Sequence, residues 1–175
     1  MQIKLDFDNM LLQEYEARNS PPFFLISFQH IDEFYPSENW TDFGGVILSW
    51  WICALVQLLR RGHREQFLFM DGPYEIEVCY RRKTGMMELR PEGLDVVWEV
   101  TPIELSDALV CAGETVVQKL IQVGTGVRIR KGLEQGLAEL RQATQELEQI
   151  SSDKGPKRFF LTTPATSLAV VANLS

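Results

Sequence analysis

Histidine is scarce in this chain, with two in 175 residues, and neither His30 nor His63 has a patterned partner. A zinc centre needs several nitrogen and sulfur ligands at short spacings, so no metal site is expected. The three cysteines, Cys53, Cys79 and Cys111, are odd in number and far apart. They read as reduced thiols, which suits a cytoplasmic compartment better than a disulfide framework does. Also missing are a His-Glu-x-x-His pair, a Cys-x-x-Cys, a phosphate loop ending in Gly-Lys-Ser/Thr and a Gly-x-Ser-x-Gly elbow. No residue is therefore assigned a catalytic role, and no cofactor is expected. The amino terminus, Met1-Gln2-Ile3-Lys4-Leu5-Asp6, lacks the basic region and apolar run of a secretion signal.

Basic residues are nearly absent from the first quarter. Between Met1 and Asp42 the acids Asp6, Asp8, Glu14, Glu16, Asp32, Glu33, Glu38 and Asp42 face only Lys4 and Arg18, a balance of −6 within a total of −7. Such a surface repels phosphate backbones and steers a basic protein by long-range attraction, so nucleic acid is disfavoured as a partner. The basic clusters Arg81-Arg82-Lys83 and Arg128 to Lys131 read as a hairpin tip and a helix start, both solvated.

Charge is missing altogether from Phe43 to Leu59, seventeen residues reading FGGVILSWWICALVQLL. As a helix this run spans roughly 26 Å, short of the ~30 Å hydrocarbon core of a bilayer. Gly44, Gly45, Ser49 and Gln57 interrupt it, and segments with strand patterns flank it. It is read as a buried central helix and not as a membrane segment. A helix apolar on nearly every side has to be covered on more than one face.

Around that helix the patterns alternate. Met1, Ile3, Leu5 and Phe7 alternate with polar residues, the period of a half-buried strand, and Phe23 to Phe28 reads as a second, more buried one. After the helix stops near Arg61-Gly62, Phe67 to Met70, Tyr74 to Arg81, Met86 to Arg90 and Leu94 to Val100 form a meander separated by Asp71-Gly72-Pro73, Lys83-Thr84-Gly85 and Pro91-Glu92-Gly93. Glu75, Glu77, Cys79 and Arg81 alternate with Tyr74, Ile76, Val78 and Tyr80, which predicts one wet face and one packed face, with Trp98 and the Trp50-Trp51 pair supplying bulk. Thr101-Pro102-Ile103-Glu104 carries a capping box and begins a helix that ends at Gly124-Thr125-Gly126. Leu133, Leu137, Leu140, Thr144 and Leu147 mark a narrow stripe on a last helix, expected to pack on its own domain. Phe159 to Leu161 suggests an edge strand, and the rest of the tail from Ser151 is left unplaced. With no internal repeat and no long linker, residues 1–175 read as one globular domain of α+β class: an antiparallel sheet of about five or six strands on the central apolar helix, with two further helices.

Three arrangements carry chemistry in principle. His30-Ile31-Asp32-Glu33 combines a nitrogen with carboxylates, Asp6-x-Asp8 places two carboxylates on one strand face, and Gly124-Thr125-Gly126 precedes a helix start that would favour an anion. The simpler readings, a loop histidine, solvated acids and a turn between helices, are preferred for each.

The stretch from His30 to Asp42, HIDEFYPSENWTD, stands above this background because acids and aromatics interleave without a base. Asp32, Glu33, Phe34, Tyr35, Glu38, Trp40 and Asp42 are the candidate partner-binding residues. Tyr and Trp are large anchors with little entropy to lose, while carboxylates steer and pair with Arg or Lys. The competing reading folds Phe34 and Trp40 back as a lid over the central helix, leaving only solvated acids.

Phe28-Gln29-His30-Ile31, then Phe34, Pro36, Trp40-Thr41-Asp42-Phe43 and Leu48-Ser49-Trp50-Trp51, resemble uncharacterised small acidic bacterial proteins of the toxin-immunity type. The resemblance covers mainly residues 23–61, includes no catalytic motif and transfers no site residue. It implies a cytoplasmic, single-domain inhibitor that neutralises a toxin by occluding its basic active site. The leading expectation is thus a non-enzymatic protein-binding module with a basic protein partner, with no nucleic acid or membrane and an oligomeric state left open. The alternatives are a small-molecule-binding domain or enzyme with a pocket between sheet and central helix, His30, Asp32 and Glu33 at its mouth, and a structural subunit using the 133–147 stripe.

Overall fold

In the computed structural model, which describes residues 1–18, 20–62 and 64–153, the alternation at the amino terminus becomes β1 (Gln2–Asp6). The fold is α+β, and among the described residues it contains four helices and two antiparallel sheets of four strands each. The edge strand expected at Phe159 to Leu161 lies outside the described residues.

After β1 the polar stretch forms a helix, α1 (Asn9–Ala17), because Asp8 caps it by accepting the N–H groups of Met10 and Leu11 at 2.8 and 3.2 Å. Thus Asp8 serves the backbone, while Asp6 accepts the N–H of Phe7 at 2.8 Å. Next come β2 (Phe24–His30), β3 (Glu33–Tyr35) and β4 (Thr41–Asp42). In this first sheet β2 is flanked by β1 on one side and by both β3 and β4 on the other.

The uncharged run is α2 (Gly44–Arg61), ended by Gly62 in the left-handed region at φ 67°, with Arg60 and Arg61 in the last turn. Gly44 is required by close approach, since the Phe24 ring occupies the space a Cβ would need. The second sheet is a meander of β5 (Arg64–Leu68), β6 (Glu75–Arg81), β7 (Met86–Pro91) and β8 (Trp98–Val100). Alternation announces a strand but not its partner. The insertion of α2 between β4 and β5 splits the strands into two sheets where the sequence suggests one larger sheet.

Two long helices follow. The capping box at Thr101 forms as predicted, with Glu104 N–H on the Thr101 hydroxyl at 3.1 Å and the Glu104 carboxylate accepting the Thr101 N–H at 2.7 Å, and opens α3 (Pro102–Val123). Its backbone and side-chain bonds to Thr101 hold the Glu104 carboxyl below its ordinary value. A turn at Gly124-Thr125-Gly126 leads to α4 (Val127–Asp153), whose Leu133, Leu137, Leu140 and Ala143 are buried against α2 and α3. The leucine stripe is used within the chain.

So α2 meets both sheets as well as α3 and α4, which is the cover its sequence demands. At the centre Phe28 lies 4.7 Å from Trp51 and 5.8 Å from Phe67, ring centroid to ring centroid. Trp51 and Trp98 supply the expected bulk, but Trp50 does not. Adjacent helical residues point about 100° apart, and Trp50 turns outward, 43% exposed. The outer face of the second sheet is wet, as predicted: Arg64 pairs with Glu77 at 2.6 Å, and Arg81 and Arg90 bracket Glu88 at 2.6 and 2.9 Å. Hydrogen bonds from both arginines hold the Glu88 carboxyl down at about 2. Cys79 sits among these side chains, and burial, helped by the Glu77 carboxylate, pushes its thiol up.

Candidate functional site

The acidic aromatic stretch begins as a tight hairpin in which Phe28 pairs with Tyr35, Gln29 with Phe34 and His30 with Glu33. At its tip Ile31 has φ 56° and is 78% exposed. A β-branched residue in the left-handed region is strained, because its Cβ crowds the backbone. The Tyr35-Pro36 peptide is cis.

Three of the seven candidate side chains bond to distant parts of the chain, Tyr35 and Asp42 from buried positions and Glu33 from an exposed one. Glu33 accepts the indole N–H of Trp98 in β8 at 2.6 Å. The buried Tyr35 ring stands edge-on to Phe69 and Tyr74 at 5.8 and 6.0 Å, and its hydroxyl accepts the Glu75 N–H at 3.2 Å. Burial pushes the Tyr35 phenol up, against the opposing Glu75 amide and with reinforcement from the Glu92 and Glu75 carboxylates. Asp42, fully buried, accepts the N–H groups of Met70 and Asp71 at 2.9 and 3.2 Å through one oxygen and that of Phe43 at 2.7 Å through the other. Tyr35 and Asp42 are spent on the protein's own interior, and Glu33 on an indole at its surface.

The remaining four face outward in whole or part. Asp32 and Glu38 are exposed, and Glu38 pairs with Lys4 at 2.9 Å. The Lys4 ammonium also lies 5.3 Å from the centre of the half-buried Phe34 ring. Trp40 is half-buried and meets Tyr74 edge-on at 4.8 Å. Trp40 thus props the turn between β5 and β6 and packs against the edge of the core.

That turn borders a surface the sequence did not single out. A concavity of about 480 Å³ is lined by Trp50, Leu68, Met70, Tyr74, Glu75 and Glu92 among others. Trp50 separates it from a second, of about 780 Å³, that reaches Pro21, Pro22, Val127 and Arg128. Trp50, Leu68, Met70, Tyr74 and Val127 are all exposed large apolar residues, so one apolar track runs past Trp50. The adjacent Trp-Trp pair in a helix was the available signal, since both rings cannot face one core.

The other candidate chemistries have structural occupants. His30, Asp32 and Glu33 line a surface hollow of about 460 Å³ with Ile31, Val97 and Trp98, whereas the space between sheets and α2 holds Phe28, Trp51 and Phe67. The His30 ring lies 5.6 Å from that of Trp98, and its buried Nδ1 has no partner among the described residues. Gly126 gives its N–H to the Glu16 carboxylate at 2.8 Å, so the anion at the start of α4 is the chain's own. No group of three or more His, Cys, Asp or Glu among the described residues is placed to hold a metal ion. Among them, too, no helix is long and apolar enough to cross a membrane. Comparison with protein families, curated proteins and solved structures returns no match for this chain.

Proposed function

We propose that the chain is a non-enzymatic protein-binding module, an immunity protein of the toxin-neutralising type, and that its partner is a basic protein. The observation that carries this reading is the apolar track of Trp50, Leu68, Met70 and Tyr74, lying beside Trp40 and edged by Glu75 and Glu92. Exposed apolar side chains gathered in one place and rimmed by charge are characteristic of association surfaces. The acidic first quarter supports the sign of the partner, because its field accelerates encounter with positive charge.

Co-expression with the product of the neighbouring reading frame, followed by binding kinetics at two salt concentrations, tests the proposal. Neutralising Asp32 and Glu38 slows association and flattens its salt dependence, while Trp40→Ala or Trp50→Ala speeds dissociation by roughly 30-fold where the ring is an anchor. An association rate unchanged at low salt, or a footprint confined to α3 and α4, overturns it.

A further inference from the structure

Glu75 and Glu92 close one end of the β6 and β7 ladder side by side, the Glu92 N–H bonded to the Glu75 carbonyl at 2.9 Å just beyond the Ile76–Pro91 pair. Like charges in such neighbouring positions repel. Elsewhere on the outer face of this sheet the chain supplies the missing cation, with Arg64 on Glu77 and with Arg81 and Arg90 on Glu88. Among the described residues none is supplied at this end: Glu75 receives the neutral amide of Gln66, at 2.9 Å, and the Glu92 carboxylate has no side-chain partner.

The two carboxylates border the concavity of about 480 Å³ whose other lining includes Trp50, Leu68, Met70 and Tyr74. Among the described residues no Lys or Arg lines it. Tyr74 is held from behind by Trp40 and Tyr35, at 4.8 and 6.0 Å, so its ring is braced before anything binds. Paired anions call for a cation with several donors, flat aromatic faces favour a planar one, and an apolar lining suits a methylene stem. A guanidinium meets all three conditions, whereas an ammonium is a compact, strongly hydrated point charge.

We infer that this concavity is an arginine socket, which receives one arginine side chain of the partner protein with its charge on Glu75 and Glu92 and its face against Trp50 or Tyr74. The inference rests on the reading of the chain as a binding module for a basic protein and names the residue that module recognises.

The test uses N-acetyl-arginine amide as probe and follows the indole N–H signals of the four tryptophans by NMR, with Trp50→Phe identifying that of Trp50. The probe shifts the Trp50 signal saturably and leaves those of Trp51 and Trp98 in place. N-acetyl-leucine amide does not reproduce the shift, and N-acetyl-lysine amide binds more weakly. The double change Glu75→Gln, Glu92→Gln weakens probe binding about tenfold while the melting temperature is kept. Equal shifts from the leucine or lysine probe, or an unchanged titration in the folded double variant, overturn the socket. The partner separates the two levels of the claim. Tight partner binding that ignores Glu75 and Glu92 rejects the socket and keeps the module, whereas a socket that titrates with arginine in a chain that binds no basic protein rejects the module.

Discussion

The indole N–H of Trp51 donates to the carbonyl oxygen of Leu68 at 2.8 Å, so the central helix is bonded to the last residue of β5 as well as packed on it. A donor buried in the core thereby meets an acceptor that the strand ladder leaves over.

Trp51→Ala is expected to destabilise the fold by about 3–5 kcal/mol, because it leaves a cavity between both sheets and an unpaired carbonyl. Trp50→Ala, one position on, removes a ring that is 43% exposed and should cost less than ~1 kcal/mol. Urea midpoints of the two variants check this, and equal losses would contradict the outward placement of Trp50.

Ile31→Gly is expected to raise stability, by about 1 kcal/mol. Glycine takes φ 56° without the Cβ clash, and the side chain removed is largely in water. The extra freedom glycine has in the unfolded chain offsets part of the gain. A melting temperature at or below that of the parent would show that Ile31 is held by contacts strong enough to outweigh its strain.

Asp42→Ala removes the acceptor shared by the Met70 and Asp71 amides and should lower stability by about 2 kcal/mol. Hydrogen exchange at those two amides should accelerate, since the turn loses its tether to the first sheet. Protection unchanged at Met70 and Asp71 would refute that role.

Acid should weaken the fold partly through Glu88. Its carboxyl is held at about 2, below an ordinary value of 4.5, so the arginine pairs contribute fully above 4.5 and their contribution fades as pH falls towards 2. Glu88→Gln should flatten the pH dependence of the urea midpoint in that interval. An identical slope in parent and variant would remove Glu88 from the account.

Periodicity and capping made much of this architecture legible: the seat of α2, the wet outer face at Glu75 to Arg81, and the start of α3 at Thr101 all follow from local pattern. The helix α1 was harder to see, because its nine residues bury only Leu12 and its start rests on one aspartate. For the stretch from His30 to Asp42, composition gave acid and aromatic together but not direction. Glu33, Tyr35 and Asp42 find their partners in β8, β6 and the turn after β5, and such distant donors leave no trace in local spacing. The track past Trp50 was hidden for a related reason. It joins α2, β5 and the following turn, which come together only once the chain has folded.

The bond from Glu16 to the Gly126 amide joins positions 110 residues apart, and α3 also lies against β1. A growing chain made at about 5–20 residues per second would therefore carry β1 for roughly 6–22 s before the helices that cover it exist. During that wait the apolar side of β1, with Ile3 and Leu5 beside α3 in the finished fold, stays open to solvent and to any chaperone at the ribosome exit. Synthesis arrested before α3 should leave these residues sensitive to protease, while release of the finished chain should protect them.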